Sequence, residues 1–402
     1  MSEVLILGGG ASGMAAAIRA AALGRRVTLL ERQGRLGRKL LATGNGRCNL
    51  TNTGAGPANY HGTAPDFVRP ALAAWPPAAV LEFFSGLGLR WVEEYGGRVY
   101  PKSDHAGSVL DVLRLELERL GVETVVSAPV TALRRAGGGF TAETGAGRYR
   151  ADMAIVACGG CAGGKLGGVT DGYALLESLG HRRTALRPAL TTLRCDSEYP
   201  KALKGVRAVA RVTLRRGRRE LAGETGDVLF TETGLSGTAV FGISRWASGE
   251  GLTAALDLFP EDSPETLLAD LRTRRARFSQ RPANELLVGA VQSRLGLMLC
   301  KAAGLSGGSP AGSVSDGALA RLAAVMKDFA FPVRGLGGFE AAQVTAGGID
   351  VRDFDPVTLQ SRLVPGLYAC GEVLDVDGDC GGYNLQWAWA SGLTAGEGAS
   401  NR

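Results

Sequence analysis

Between an apolar run, Val4 to Leu7, and an alanine-rich stretch, Ala11 to Leu23, the chain reads GGGASG, which sets Gly8, Gly10 and Gly13 in a GxGxxG arrangement. In that position the first glycine permits a tight turn, the second lets backbone approach a pyrophosphate, and the third lets helix pack on strand. Gly10, Ala11 and Ser12 then open a helix whose unpaired amides face the phosphates of a dinucleotide. Glu31 ends the next apolar run, Val27 to Leu30, where a carboxylate accepts both hydroxyls of a ribose. An acid there disfavours a 2'-phosphate, and only the neighbouring Arg32 points the other way.

That motif serves NAD and FAD alike, and the far end of the chain separates them. Leu363 to Ala369 reads as a strand ending in Gly371 and Glu372, a Gly-acid pair suited to the ribityl chain and pyrophosphate of FAD. Gly381, Gly382, Tyr383, Asn384 and Leu385 then open a helix, Leu385 to Leu393. Its N-terminal dipole would stabilise negative charge at the N1/O2 edge of a reduced flavin.

Other reactive side chains give weaker patterns. Cys158 and Cys161 form a CxxC, but on a glycine turn rather than at the start of a thioredoxin helix, so inert thiols are the simpler reading. No second CxxC and no histidine cluster accompanies them, so no metal is expected. The three histidines, His61, His105 and His181, are isolated in sequence. His61 and His105 lie in or after segments assigned to the flavin and are candidate proton donors.

The elements that must position these residues begin with a strand–helix–strand unit over Val4 to Leu30. Residues 34 to 66 lack periodicity and mark a long functional loop. Helical spacing follows over Val80 to Leu87 and Ser108 to Leu120, then a strand at Val122 to Val126, a small meander over Pro129 to Arg150, and a buried strand at Ala154 to Ala157. Short antiparallel strands are expected over Leu190 to Leu214 and Arg218 to Leu258, and helix over Pro264 to Met298. The fold class is therefore α/β, a discontinuous Rossmann-like dinucleotide domain at 1–186 and 335–402. It is interrupted by a β-rich domain at 187–262 and a small helical insert at 263–334.

Composition sets the outer bounds. The 402 residues are 45% hydrophobic and 21% charged, an ordinary globular balance. Sixty glycines are roughly twice the usual share of about 7%, clustered where backbone would approach a ligand. The net charge of +6 comes from scattered arginines without interleaved aromatics, so solvated surface is the expectation and nucleic acid is disfavoured. No apolar run approaches the roughly 20 residues that span a bilayer, and no leader pattern opens the chain. Seven cysteines at irregular spacing fit a reducing, cytoplasmic setting.

Four separated segments also carry a resemblance. GRKLLATGNGRCNLTN at Gly37 to Asn52, GRVYPKS at Gly97 to Ser103, GDVLFTETGLSG at Gly226 to Gly237 and GEVLDVDGDCGGYNLQWAWASG at Gly371 to Gly392 resemble the aminoacetone oxidase family of FAD-binding enzymes, also called BaiN-like flavoproteins. The resemblance spans nearly the whole chain. It implies an FAD domain carrying an inserted β-barrel and a small helical domain. It also implies that Asn45, Gly46, Arg47, Cys48 and Asn49 wrap the pyrophosphate and reach the flavin, with Lys39 as a phosphate or adenosine contact. Arg47 offers a fork of donors suited to phosphate. Asp379, Tyr383 and Asn384 would lie beside the ring, and the backbone of Val130 beside the adenine. The chain departs from the family at Cys158, Gly159, Gly160 and Cys161, where relatives have an Ala-Thr-Gly-Gly turn followed by Ser or aromatic and Pro residues. The glycine turn survives beside the cofactor, while substrate contacts after Gly160 do not carry over.

The reaction these features imply is hydride exchange between flavin N5 and a small organic molecule, in an FAD-dependent oxidoreductase linked to NAD(P)H. No second GxGxxG sits in a strand–helix–strand unit, so either a nicotinamide binds transiently as electron donor or an external donor supplies the electrons. Oxidation of a small amine by O2 is the alternative within enzymes. A non-catalytic flavoprotein that binds RNA or protein is the alternative outside them.

Overall fold

In a computed structural model describing residues 3–401, the chain forms two compact units. One comprises Met1–Pro188 with Gln343–Arg402, the other Ala189–Ala342. The first is built on a five-stranded sheet: β1 (Glu3–Leu7), β2 (Arg26–Leu30), β3 (Glu123–Val125), β4 (Met153–Val156) and β5 (Leu367–Ala369). The strands lie in the order β5-β4-β1-β2-β3, and each pairs in parallel with its neighbours. β1 from Val4 onward and all of β4 are apolar, the composition of strands covered on both faces.

The helix Ala11–Ala22 follows β1 directly, because alanine has the best helix propensity and Gly8 supplies the turn. Gly8 has φ +111°, and a Cβ on it would run into the carbonyl of Ala157 after β4. Gly24, at φ +84°, ends the helix in the left-handed conformation. The C-terminal helix Tyr383–Gly398 lies along this first helix. Its Gly392 and Gly396 meet the backbone of Ser12 and Ala16, so the two axes approach more closely than larger side chains would permit. Trp387 and Trp389 on the C-terminal helix are buried in the core shared by the sheet and both helices.

In the second unit six strands close a barrel: Leu193–Cys195, Gly234–Ser236, Arg219–Phe230, Arg207–Arg216, Leu252–Asp257 and Phe329–Leu336, in spatial order. Phe329–Leu336 alternates buried and exposed side chains and completes the barrel from the end of the stretch read as helical. The helices Pro264–Arg277, Ser293–Ala302 and Asp316–Lys327 bury Leu271, Leu299 and Leu322 in the same core as barrel residues Val212, Phe230 and Phe331. Ser263 and Ser315 cap the first and third of these helices through their side-chain oxygens. Thr238–Ser244 is a helix inside the stretch read as strands.

Candidate functional site

The turn after β1 brings the first set of site residues together. Gly10 is the N-cap of the helix Ala11–Ala22, which has no side-chain cap and no acid in its first turn. Its leading amides are therefore available to an anion. A Cβ built on Gly10 would meet nothing within 4 Å, so open space lies over the helix N-terminus. On Gly13 it would fall against the carbonyl of Gly8, so only glycine lets the helix close on the turn. Ser12 is buried beside Gly371, whose Cβ position is filled by the Ser12 side chain.

Glu31 leaves β2 with its carboxylate already oriented. Oε2 accepts from Gly9 N at 2.7 Å and Oε1 from Gln33 N at 2.7 Å, in a side chain only 9% exposed. Each oxygen keeps a second lone pair, the arrangement a ribose diol requires. Arg32 turns away to Asp171, 3.3 Å from its carboxylate. The chain then crosses back beside Glu31: Ser127 N donates to Gln33 O and Ala128 N to Glu31 O, delivering Val130 to this end of the site.

The glycine-rich loop after Lys39 is held in an unusual backbone conformation. Gly44, Asn45, Gly46 and Cys48 all have positive φ, between 57° and 87°. For Cys48 that conformation is strained, and strain of this kind persists only where neighbours over-determine it. Three contacts do so. The Cys48 side chain is fully buried, its backbone N–H donates to Thr43 O at 3.0 Å, and burial pushes its thiol up to about 12. The Arg47 guanidinium pairs with Glu94 at 2.5 Å and with Asp104, and stacks 4.0 Å from the Tyr100 ring centroid. The Asn49 amide, in the orientation that satisfies its neighbours, donates to Val99 O and accepts from Gly382 N.

Arg47 thus directs donors at two carboxylates, Glu94 and Asp104, and so tethers the loop. Lys39 likewise finds a carboxylate: its Nζ lies 2.7 Å from Glu372 Oε2, while Glu372 Oε1 accepts from Thr345 N at 2.8 Å. The Cys158–Gly160 turn passes directly beside this group. A Cβ on Gly160 would stand 2.6 Å from Glu372 Oε1, whereas Gly159 and Gly46 face open space. Cys158 donates to Leu7 O at 3.3 Å, and burial pushes its thiol up to about 12. Cys161 lies 3.7 Å from Thr345 Oγ1, so the two cysteines of the CxxC address different partners.

The C-terminal helix gathers the remaining residues. Gly382, at φ +101°, is its N-cap, again with no side-chain cap and no acid in the first turn. A Cβ on Gly382 would stand 2.5 Å from Thr51, so the loop and the helix N-terminus are in contact. Asn384, expected beside a ring, brackets Gly378: its Oδ1 accepts from Gly378 N and its Nδ2 donates to Gly378 O, both at 2.8 Å. Tyr383 O accepts from the Tyr60 hydroxyl at 2.9 Å, and Leu385 is half-buried against the core. Asp379 holds His61 and Asn59, at 2.8 and 3.1 Å.

Sequence reasoning did not single out several buried polar groups that lock these parts together. Gln386 bonds to Thr51 and to Trp75 O, Ser391 accepts from Gly371 N, and Trp387 donates to Gly371 O. Thr345 accepts from Ala162 N while orienting Glu372 through its own amide. These partners are up to 335 residues apart, and no local spacing announces them.

The donor set fits a dinucleotide spread from Glu31 to Gly382. It offers two uncapped helix N-termini, an oriented carboxylate at one end, a Gly-acid turn in the middle, and glycine faces that leave room for close approach. Among the described residues no group of three or more His, Cys, Asp or Glu could hold a metal ion, and no helix is long and apolar enough to cross a membrane.

Comparison with known proteins agrees with this geometry. Residues 2–398 match the family model described as the HI0933-like protein Rossmann domain. A 3-dehydro-bile acid delta(4,6)-reductase from Clostridium scindens is 39% identical, with both chains covered in full. A ribosomal RNA dihydrouridine synthase from Escherichia coli is 32% identical, over 97% of this chain and 96% of the relative. Among solved structures, the 3-ketosteroid-delta4-(5alpha)-dehydrogenase of Rhodococcus jostii RHA1 shares the fold at 17% identity and TM-score 0.51, covering all of this chain and 97% of the other. On this evidence the chain belongs to the HI0933-like Rossmann family.

Proposed function

We propose that this chain, an FAD-dependent oxidoreductase, is a reductase that adds hydride and a proton across a carbon–carbon double bond conjugated to a carbonyl, with reduced NAD(P) as its electron donor. The observation that carries the reading is a site in which two uncapped helix N-termini, Gly10 and Gly382, belong to a packed pair of helices and backbone amides orient the Glu31 and Glu372 carboxylates. When bound, FAD supplies the two-electron hydride chemistry. Gly8, Gly10, Ala11, Ser12 and Gly13 would receive its pyrophosphate, Glu31 its adenosine ribose, and the backbone near Val130 its adenine. Gly159, Gly160, Gly371 and Glu372 would flank the ribityl chain. Gly382, Tyr383 and Leu385 would lie at the ring, where the helix dipole favours the negative charge of the reduced state. Asn45, Gly46, Cys48 and Asn49 would contribute backbone, the Cys48 side chain being buried and the Asn49 amide engaged with Val99 and Gly382.

The names of two relatives support the reaction class. A 3-dehydro steroid reduced at its 4,6 bonds and a uridine reduced to dihydrouridine both present a double bond conjugated to a carbonyl. A small-molecule substrate agrees with the first. The second supports an alternative in which the reducible ring is a uridine in RNA. Seven cysteines, all without disulfides, support a reducing cytoplasmic setting.

The deciding experiment is an anaerobic titration of the flavoprotein with NADH and NADPH, followed by addition of a 3-oxo-4,6-diene steroid acid, a uridine-containing RNA, or air. Bleaching by either nucleotide and reoxidation by the steroid supports the proposed reductase, and reoxidation by RNA alone selects the alternative. Absence of bleaching, with fast reoxidation by air after chemical reduction, overturns the reading in favour of an oxidase.

A further inference from the structure

Cations along the proposed cofactor site meet carboxylates of the protein: Arg32 meets Asp171, Lys39 meets Glu372, and Arg47 meets Glu94 and Asp104. Arg98 departs from this pattern. Its side chain is partly buried, yet it forms no hydrogen bond and no ion pair with any described residue. The acid opposite it in its ladder is Glu94, whose carboxylate is turned to Arg47 instead. A cation withdrawn from water without a counter-charge is costly unless something else supplies the negative charge.

The local backbone sets this cation against the start of the C-terminal helix. The strand Arg98–Pro101 pairs antiparallel with Thr51–Asn52, and Arg98 lies opposite Asn52. Asn52 Nδ2 donates to Gly381 O at 3.0 Å, which ties Gly381 to the same ladder. The Arg98 Nε lies 3.3 Å from the point a Cβ on Gly381 would occupy, and Cε2 of the Tyr383 ring lies 3.6 Å from it. Gly381, at φ +128°, thus leaves the room in which the guanidinium rests against the turn. The next residue is Gly382, the N-cap of a helix with no acid in its first turn, so the guanidinium and the positive end of the helix dipole adjoin. The field of Arg98 reaches its surroundings: burial pushes the Tyr100 phenol up, and the charges of Arg98 and Arg47 oppose that rise.

We propose that Arg98 tunes the flavin, its positive charge stabilising the negative charge that reduction places at the N1/O2 edge and so raising the reduction potential of bound FAD. The proposal rests on the placement of the ring at Gly382 in the reading above. Hydride transfer from reduced NAD(P) forms the N5–H bond, releases oxidised NAD(P), and leaves one negative charge on the ring. That charge is the counter-ion Arg98 lacks. The oxidised ring is neutral, so a fixed cation beside it favours the reduced form over the oxidised one. The role needs no proton transfer and no contact with substrate, and arginine keeps its charge throughout the working pH range.

The test uses purified holoenzyme of the wild type, Arg98→Gln and Arg98→Lys. FAD content and the dissociation constant of oxidised FAD are measured first, then the midpoint potential by equilibration with a reference dye. The dissociation constant of sulfite follows, because sulfite addition at N5 puts the same negative charge on the ring. A unit charge about 12 Å away, at an effective dielectric constant of about 20, changes the preference for an anion about 10-fold, and a closer charge does more. Arg98→Gln should therefore hold oxidised FAD as the wild type does, lose about 10-fold or more in sulfite affinity, and fall in potential by about 30 mV or more, the equivalent of that tenfold change for two electrons. Arg98→Lys keeps the charge and should retain most of both. Arg98→Met, which keeps an apolar stem, takes the place of Arg98→Gln if the latter sheds FAD. Wild-type potential and sulfite affinity in the neutral variant, or an equal fall in Arg98→Lys, overturns the role. Neither measurement needs a nucleotide or a substrate, so this failure is distinct from failure of the reductase reading, which shows as a wild-type flavin that neither NADH nor NADPH bleaches.

Discussion

The contact between the N-terminal and C-terminal helices gives a prediction whose sign runs against helix propensity. Gly396 lies in the last turn of Tyr383–Gly398, where alanine would ordinarily gain up to about 1 kcal/mol. A Cβ at Gly396, however, would stand 2.5 Å from the Ala16 carbonyl oxygen and 3.0 Å from the Arg19 Cβ. Real Cβ atoms essentially never come within 3.0 Å of a neighbour, so the helices must separate by about 0.5 Å or more. Neither neighbour is a flexible side-chain end, so the cost falls near the upper part of the overpacking range, about 3 kcal/mol. Gly396→Ala should then destabilise by about 2 kcal/mol net. At about 2–4 °C per kcal/mol for a unit of this size, that is about 4–8 °C. Gly86 is the matched control: it ends the helix Pro77–Gly86, is exposed, and a Cβ there meets nothing within 4 Å. Gly86→Ala should hold or raise stability by up to about 1 kcal/mol. Thermal release of flavin fluorescence reports the unit that contains both sites. A Gly396→Ala protein that melts at or above wild type, or a Gly86→Ala protein that loses as much, would refute the close-approach argument.

Glu31→Ala removes the carboxylate that accepts from Gly9 and Gln33, and should weaken FAD binding by about 10–100-fold, the range for one charge-assisted bond; unchanged affinity in a fluorescence titration of apoprotein would remove Glu31 from the ribose. Cys158 and Cys370 are pushed from the ordinary value of 9.0 to about 12 by burial. Their contribution to stability is therefore complete below pH 9 and lost as pH rises toward 12, at up to about 1.4 kcal/mol per pH unit for each thiol. Denaturant midpoints between pH 9 and 11 should fall less steeply in a Cys158→Ala, Cys370→Ala double variant, and equal slopes would show that these thiols ionise freely. The same burial predicts that Cys158 resists iodoacetamide at pH 8 in the folded protein, and rapid labelling there would revive a redox role for the CxxC.

What was legible in the sequence is what local chemistry dictates. The apolar run of β1, the glycine spacing and the alanine-rich helix form one continuous segment whose pattern admits few alternatives, and Glu31 follows from the length of that unit. The C-terminal helix was legible for the same reason, although it begins at Tyr383 and runs five residues beyond Leu393. The barrel was harder. Phe329–Leu336 carries Pro332, which argues against a strand inside a sheet, yet Pro332 pairs with Thr253. The helix Thr238–Ser244 is only seven residues long, too short for its periodicity to stand out between strands. Arg47 illustrates a deeper limit. A guanidinium in a glycine loop suits a phosphate by type, but its partners Glu94 and Asp104 lie 47 and 57 residues away and reach it only through the fold.

The Arg47 pairs bear on how the loop is expected to work. Gly44, Asn45, Gly46 and Cys48 occupy left-handed backbone, which costs on the order of 1–3 kcal/mol for each non-glycine residue. The protein meets this cost with its own groups: the Arg47 pairs, the buried Cys48 side chain, and the Asn49 bridge to Gly382. Each of these anchors is a protein group, and together they lower the free energy that binding must supply to order the loop. The same anchors join the loop to the N-terminus of the C-terminal helix, and that helix packs on the helix that begins at Gly10. Both ends of the site are thus referenced to one packed pair of helices, which is why a single methyl group at Gly396, far from any reacting atom, is expected to register at the flavin.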